Sequence, residues 1–151
     1  MENQDYKCTI SAPVTPTEAY DTINAIDKWW NENLEGSSTN VGDSFKVTFG
    51  KTNKTFKITE TIPGNKIVWL VTDCHMPWLS NITEWTGTTV VWNIEKIGES
   101  TQITLTHIGL TPNIECYGQC ESGWNYYIKD SLLKLLTEGA GQPENLKTQT
   151  V

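Results

Sequence analysis

The sequence predicts an α+β fold in which a curved, six-stranded antiparallel sheet wraps around one long C-terminal helix, with two short helices after the first strand. Three observations lead there. From Asp43 onward, apolar and polar residues alternate over short runs separated by turn residues, the period of half-buried strands. Between Gly109 and Pro143 the period lengthens. Cys116, Cys120, Gly123, Trp124, Tyr127, Ile128, Leu132 and Leu135 recur every three or four positions and form one stripe down a helix. Near the N-terminus, Thr15-Pro16-Thr17-Glu18 is a helix start, with Thr15 as cap, Pro16 at the first helical position and Glu18 closing a capping box.

Taken in order, residues 6–12 alternate weakly and read as the first strand. Ala19, Ile23 and Ile26 continue the helix begun at Pro16, and Asp27 is expected to cap a second short turn carrying Trp29 and Trp30. Residues 35–40 read as a polar loop without periodicity. Phe45, Val47 and Phe49 alternate, the chain turns at 50–53, and Phe56 and Ile58 resume the pattern up to a second turn at Pro63-Gly64-Asn65. Residues 67–71 are continuously apolar, as in a strand covered on both faces. After a long connection, segments 86–96 and 101–109 form two more strands joined at Gly98-Glu99-Ser100. The terminal helix closes at Gly139-Ala140-Gly141-Gln142-Pro143, and the polar tail 142–151 is expected to fray. Such a sheet has one face to cover and only the terminal helix is long enough to cover it, so space is enclosed between them.

Composition limits the function. A chain of 151 residues forms a single domain (1–141), burying roughly 70% of its unfolded surface. No apolar run reaches 18 residues, so no transmembrane span is expected. The acidic start Met1-Glu2-Asn3-Gln4-Asp5 is unlike a signal or transit peptide, which makes a cytoplasmic protein with four reduced cysteines the expectation. On that reading the two glycosylation patterns, at Asn53 and Asn81, are chance matches. The net charge is −7, and the eleven basic residues are all lysines, scattered singly. Without clustered cations or guanidinium groups, nucleic acid is excluded as a partner, and so are anionic membranes.

Several motifs together resemble a known group: Asp27-Lys28-Trp29-Trp30, Val41-Gly42-Asp43, Ile62-Pro63-Gly64-Asn65-Lys66-Ile67-Val68-Trp69, Thr106-His107-Ile108-Gly109 and the run from Gly123 to Leu132. They are similar to the SRPBCC (START-like, Bet v 1-like) superfamily, and within it to bacterial members related to the Aha1 activator of the Hsp90 ATPase. The resemblance spans roughly residues 5–140. It implies a helix-grip fold with an apolar cavity between the sheet and the C-terminal helix. Members bind lipids, sterols or other small apolar molecules, and a few are cyclases, aromatases or hydroxylase components. These motifs are mostly turn and packing residues, so they specify fold more than function.

The expected site follows from side-chain parity. Phe45, Val47 and Phe49 share one strand face, and Ile103, Leu105 and His107 share another. Facing the helix, they meet Cys120, Trp124 and Tyr127, with Trp30 and Trp69 as rims. The predicted ligand contacts are therefore Trp30, Phe49, Trp69, His107, Cys120, Trp124 and Tyr127, with His107 as polar anchor. Access is expected past the 35–42 and 74–84 loops. Within the latter, the apolar stretch 74–81 reads as a lid, as a display of Met76, Trp78 and Leu79 to another protein, or as plain packing of Trp78 under the sheet edge. Glu60 shares the parity of Phe56 and Ile58: it either points inward toward a partner such as His107, or is solvated at a bulge.

Cys74, His75, Cys116 and Cys120 are donors that zinc accepts, but they lack the spacing of paired knuckles, and no metal or cofactor is expected. Neither a Cys-x-x-Cys pair, nor a phosphate loop, nor a nucleophile–base arrangement is present, so no enzyme class is indicated. The leading expectation is binding of a small, largely apolar molecule. The alternatives are a protein-interaction module, such as an Hsp90-type chaperone co-factor, and a cyclase- or hydrolase-like enzyme using His107 and Glu60.

Overall fold

The computed structural model describes residues 4–143, so the part of the polar tail beyond 143 lies outside the described residues. Alternation in the sequence becomes a single antiparallel sheet of seven strands: β1 (Tyr6–Ala12), β2 (Glu35–Gly36), β3 (Ser44–Phe49), β4 (Thr52–Ile62), β5 (Lys66–His75), β6 (Thr89–Ile97) and β7 (Ser100–Ile108). Their spatial order is β1-β7-β6-β5-β4-β3-β2. From β2 to β7 each strand pairs with the next in sequence, whereas β1 closes the far edge by pairing with β7.

The expected sheet had six strands, and the additional one lies in the stretch read as a polar loop. β2 is two residues long, too short for a period to show; it exists because Glu35 and Gly36 pair with Lys46 and Phe45. Gly36 has φ +98°, and a Cβ there would meet the Ser44 carbonyl oxygen at 2.3 Å, so the close approach requires glycine.

The inner face is the one that parity assigns. Phe45 and Val47 on β3, Phe56 and Ile58 on β4, Ile67, Trp69 and Val71 on β5 and Ile103 and Leu105 on β7 are all buried. Each such side chain contributes about 1.5–3 kcal/mol on leaving water. Two register shifts between β4 and β5 skip Thr72 and Thr59, so the strands bend there.

Two short helices fill the connection after β1. In α1 (Pro16–Asn24) the capping box forms as expected: Glu18 N–H donates to Thr15 Oγ1 at 3.0 Å, and Thr15 N–H donates to Glu18 Oε1 at 2.9 Å. The second helix, α2 (Ile26–Trp29), starts one residue before Asp27. Asp27 is thus not its cap; it stands in the first turn, where a carboxylate suits the helix dipole.

The long C-terminal helix runs over 117–138 in three parts: α3 (Tyr117–Asn125), a π-helical segment (Tyr126–Leu132) and α4 (Leu133–Glu138). The sequence carries the reason for the π turn. Cys116, Cys120, Trp124, Ile128 and Leu132 are all buried and stand four apart. On an α-helix that spacing drifts by about 40° per step, because four residues exceed one 3.6-residue turn. A wider π turn, closed by i→i+5 bonds, returns the stripe to the sheet. The helix ends at Gly139, which is left-handed (φ 81°) and donates its N–H to the Leu135 carbonyl. No helix among the described residues is long and apolar enough to cross a membrane.

Candidate functional site

Sheet and helix do not close on each other everywhere. A cleft of about 350 Å³ remains at one end, lined by Trp30, Phe49, Thr52, Lys54, Trp78, Trp85, Gln119, Cys120, Gly123, Trp124 and Tyr127. Phe49 ends β3, while Thr52 and Lys54 begin β4; the hairpin between them forms one lip. Trp30 follows α2, and Gln119 to Tyr127 come from the first half of the long helix. Gly123 opens the space on that side: a Cβ placed there meets no atom within 4 Å. Two other depressions, of about 490 and 530 Å³, are lined largely by charged and polar residues such as Asp27, Lys28 and Glu32, or Asp5, Lys7 and Glu121. Only the first has the aromatic walls typical of a small-molecule site.

The connection between β5 and β6 forms the third wall. Reciprocal carboxylates pin it to the helix start. Glu84 accepts from the N–H groups of Glu115 and Cys116, each at 2.9 Å, while Glu115 accepts from Ser80 N–H at 3.0 Å. Met76 and Leu79 are buried beneath it, and Trp78, 46% exposed, stands at the mouth with its Nε1 donating to Thr52 Oγ1 at 3.0 Å. Trp85 stacks on Trp124 (centroids 5.9 Å apart, 13° between planes) and donates from Nε1 toward both Cys116 and Cys120 Sγ at 3.2 Å. The 35–42 loop takes no part in the cleft. It folds on Asp43, whose carboxylate accepts from Ser37 and from the backbone of Thr39 and Asn40.

Lys54 is the cation in this aromatic wall. Its Nζ lies 4.0 Å from the centroid of Trp85 and 5.4 Å from that of Phe49. Ring faces attract a cation by about 0.5–2 kcal/mol. No carboxylate among the described residues is in ion-pair reach of it; Glu60, further along the same strand, pairs with Lys66 of β5 instead. Burial pushes the Lys54 amine below the ordinary lysine range, and the Cys120, Cys116 and Cys74 thiols beside it act in the opposite direction. Within the thiol pair, the hydrogen bond to Cys120 and burial raise Cys116. Cys120 is lowered by its hydrogen bond with Cys116 and further by Lys54, against the effect of its own burial. Cys120 is therefore the thiol that ionises first.

Of the seven predicted contacts, Trp30, Phe49, Cys120, Trp124 and Tyr127 line the cleft, and Trp69 and His107 do not. Both are fully buried one layer behind it. Trp69 stacks behind Trp30 with 6.0 Å between centroids. His107 lies behind Trp124 and Trp85, with both ring nitrogens engaged: Trp124 Nε1 donates to Nδ1 at 3.1 Å, and Nε2 meets Thr88 Oγ1 at 2.9 Å. The Thr88 hydroxyl donates to the Trp85 carbonyl at 2.6 Å, so Nε2 carries the imidazole proton. Burial pushes the His107 pKa down to about 3, with Lys54 adding to the effect. A neutral ring with both nitrogens bonded is neither a ligand anchor nor a free base.

Glu60 follows the bulge at Thr59, is 47% exposed and pairs with Lys66 Nζ at 3.4 Å. It shares no space with His107, and an enzyme built on that pair has no site here. Cys74 is buried whereas His75 is exposed, and among the described residues no three His, Cys, Asp or Glu side chains are grouped to hold a metal. All four cysteines are free thiols.

Sequence reasoning missed Thr52, Lys54, Trp85 and Gln119, whereas Gly123 was legible as a small residue that leaves room on the helix stripe and Trp78 as part of a stretch that could act as a lid. The signal for Lys54 and Thr52 was present: they share the parity of Phe56 and Ile58, but a lysine on a strand reads as solvated.

An antiparallel sheet closed around a terminal helix, with two helices after the first strand and a cleft between the layers, defines a helix-grip protein of the SRPBCC class. A family model described as activator of Hsp90 ATPase homolog 1-like protein matches residues 18–137, and the chain belongs to that family. Solved structures carry the same fold. The Aha1 dimer from Colwellia psychrerythraea, determined in solution, has a TM-score of 0.75 at 23% identity, over 91% of this chain and 98% of that one. DynU16, from the dynemicin biosynthetic locus, has 0.70 at 16% identity over 92% of this chain and 49% of its own. MLL2253 from Mesorhizobium loti has 0.67 at 12% identity over 87% and 96%. At such identities the likeness is one of fold. No curated protein matches the chain in sequence.

Proposed function

We propose that this protein binds a small, largely apolar molecule in the cleft between the sheet and the first half of the C-terminal helix. The observation that carries this reading is the unfilled space itself. Interiors pack closely, yet here about 350 Å³ stays open between aromatic rings, beside a helical glycine that any larger residue would partly fill. Trp30, Phe49, Trp85, Trp124 and Tyr127 supply apolar surface, worth about 25 cal/mol per Å² buried. Trp78 and the 76–88 connection are the access side. With four free thiols, the protein is read as working in a reducing, cytoplasmic setting.

Thermal denaturation against a panel of one- to three-ring aromatic compounds tests the proposal. A ligand of the native state raises the melting temperature in proportion to the logarithm of its concentration. A panel without any such rise counts against the reading. The family description supports a second one, a co-factor of an Hsp90-type chaperone. Stimulation of a purified Hsp90-type ATPase by the full chain would support it, and a flat rate would count against it.

A further inference from the structure

Lys54 is unexplained by packing. Its strand positions itself by alternation: residues 52, 54, 56 and 58 face inward, and Phe56 and Ile58 fill the core. At position 54 an apolar side chain would continue that face without desolvating a charge. A lysine placed there for stability would have a carboxylate beside it. The chain has eighteen acidic residues, yet none among the described ones is in ion-pair reach of Lys54, although Lys66 on the neighbouring strand has found Glu60. The amine is held over ring faces and borders the cleft. What it lacks is a carboxylate, the acidic groups beside it being thiols with Cys120 foremost, and the open space it borders is where a carboxylate would come from.

The walls restrict the rest of that molecule. The volume is near the lower end of the ligand-pocket range, about 300 Å³, and rings rather than flexible chains line it. Flat cyclic bodies suit such walls because offset stacking and edge contacts are both available. Resting on the reading of the cleft as a ligand site, we infer that it selects compact cyclic molecules bearing one anionic group. The carboxylate pairs with the Lys54 ammonium while the rings lie among Trp30, Trp85 and Trp124.

Calorimetric titration of the full chain with two probes of one shape tests this: 2-naphthoate, which carries the anion, and 2-naphthalenemethanol, which does not. Wild type should bind naphthoate about ten-fold more tightly, the size of one partly desolvated charge pair. In Lys54→Met the two affinities should come within about two-fold, while Lys54→Arg keeps the preference. Equal binding of both probes by wild type, or a preference that survives in Lys54→Met, overturns the inference and leaves the ligand-site reading standing. Binding of neither probe overturns both. Should Lys54→Met fail to fold, the wild-type contrast and its loss at high salt decide alone.

Discussion

His107 and Lys54 both occupy inward strand positions, and depth rather than parity separates their roles. Parity in the sequence assigns a face, which is why His107 was legible as inward. It does not say how many layers lie between that face and the solvent, so His107 and Trp69 were expected in the cleft and stand behind its wall. The engaged ring makes His107 a pH element of the fold. Its folded-state pKa is depressed, so between about 3 and 6.5 the unfolded chain binds a proton that the native chain does not. Stability should therefore fall as pH drops through that window, by up to about 1.4 kcal/mol per pH unit for one proton. Urea titrations across the window should show this slope, and His107→Gln should flatten it while lowering stability at neutral pH by about 1–3 kcal/mol. An unchanged slope would show that His107 is not the group whose protonation destabilises the fold. For Lys54 the expectation is opposite in sign: Lys54→Met should raise the melting temperature, by about 1 kcal/mol in stability, because a desolvated charge is lost.

At the scale of elements, the long helix does two jobs along one stripe. Ile128 and Leu132 are fully buried and anchor it, while Cys120, Gly123, Trp124 and Tyr127 border the open space. That division was legible from residue types, small and aromatic before aliphatic. The π segment was not, although the run of four-residue steps that requires it is visible in hindsight. Gly123 is the residue on which the two jobs conflict. Gly123→Ala should stabilise the helix by about 0.5–1 kcal/mol, since its Cβ meets nothing, while narrowing the cleft. Gly123→Leu should abolish naphthalenemethanol binding in a protein that melts no earlier than wild type. Loss of the fold in either variant would show that the space is smaller than described. The 76–88 connection depends on Glu84, and Glu84→Ala, which frees two backbone donors at the helix start, should cost about 1–2 kcal/mol by chemical denaturation.

For the molecule as a whole, the architecture was readable because its signals are local and repeated: alternation, turn residues, a capping box and a helical stripe. β2 escaped because two residues carry no period and owe their pairing to a neighbour. The site was readable where it lies on those periodic elements, and beyond them only as an apolar connection that could serve as a lid. Trp78 and Trp85 come from a connection whose path is set by tertiary bonds to Thr52, Glu115 and Cys116, and no local pattern announces where such a path places its tryptophans. Family membership and fold are consistent with the cleft, and neither names its occupant. Native mass spectrometry of freshly purified protein decides whether the cleft is occupied, with the denatured chain and Gly123→Leu as references. An occupied cleft gives a discrete mass above the 17.0 kDa chain, retained under native spray, lost on denaturation and missing in Gly123→Leu. A wild-type chain at its bare mass that takes up neither naphthoate nor naphthalenemethanol would contradict the proposed ligand site.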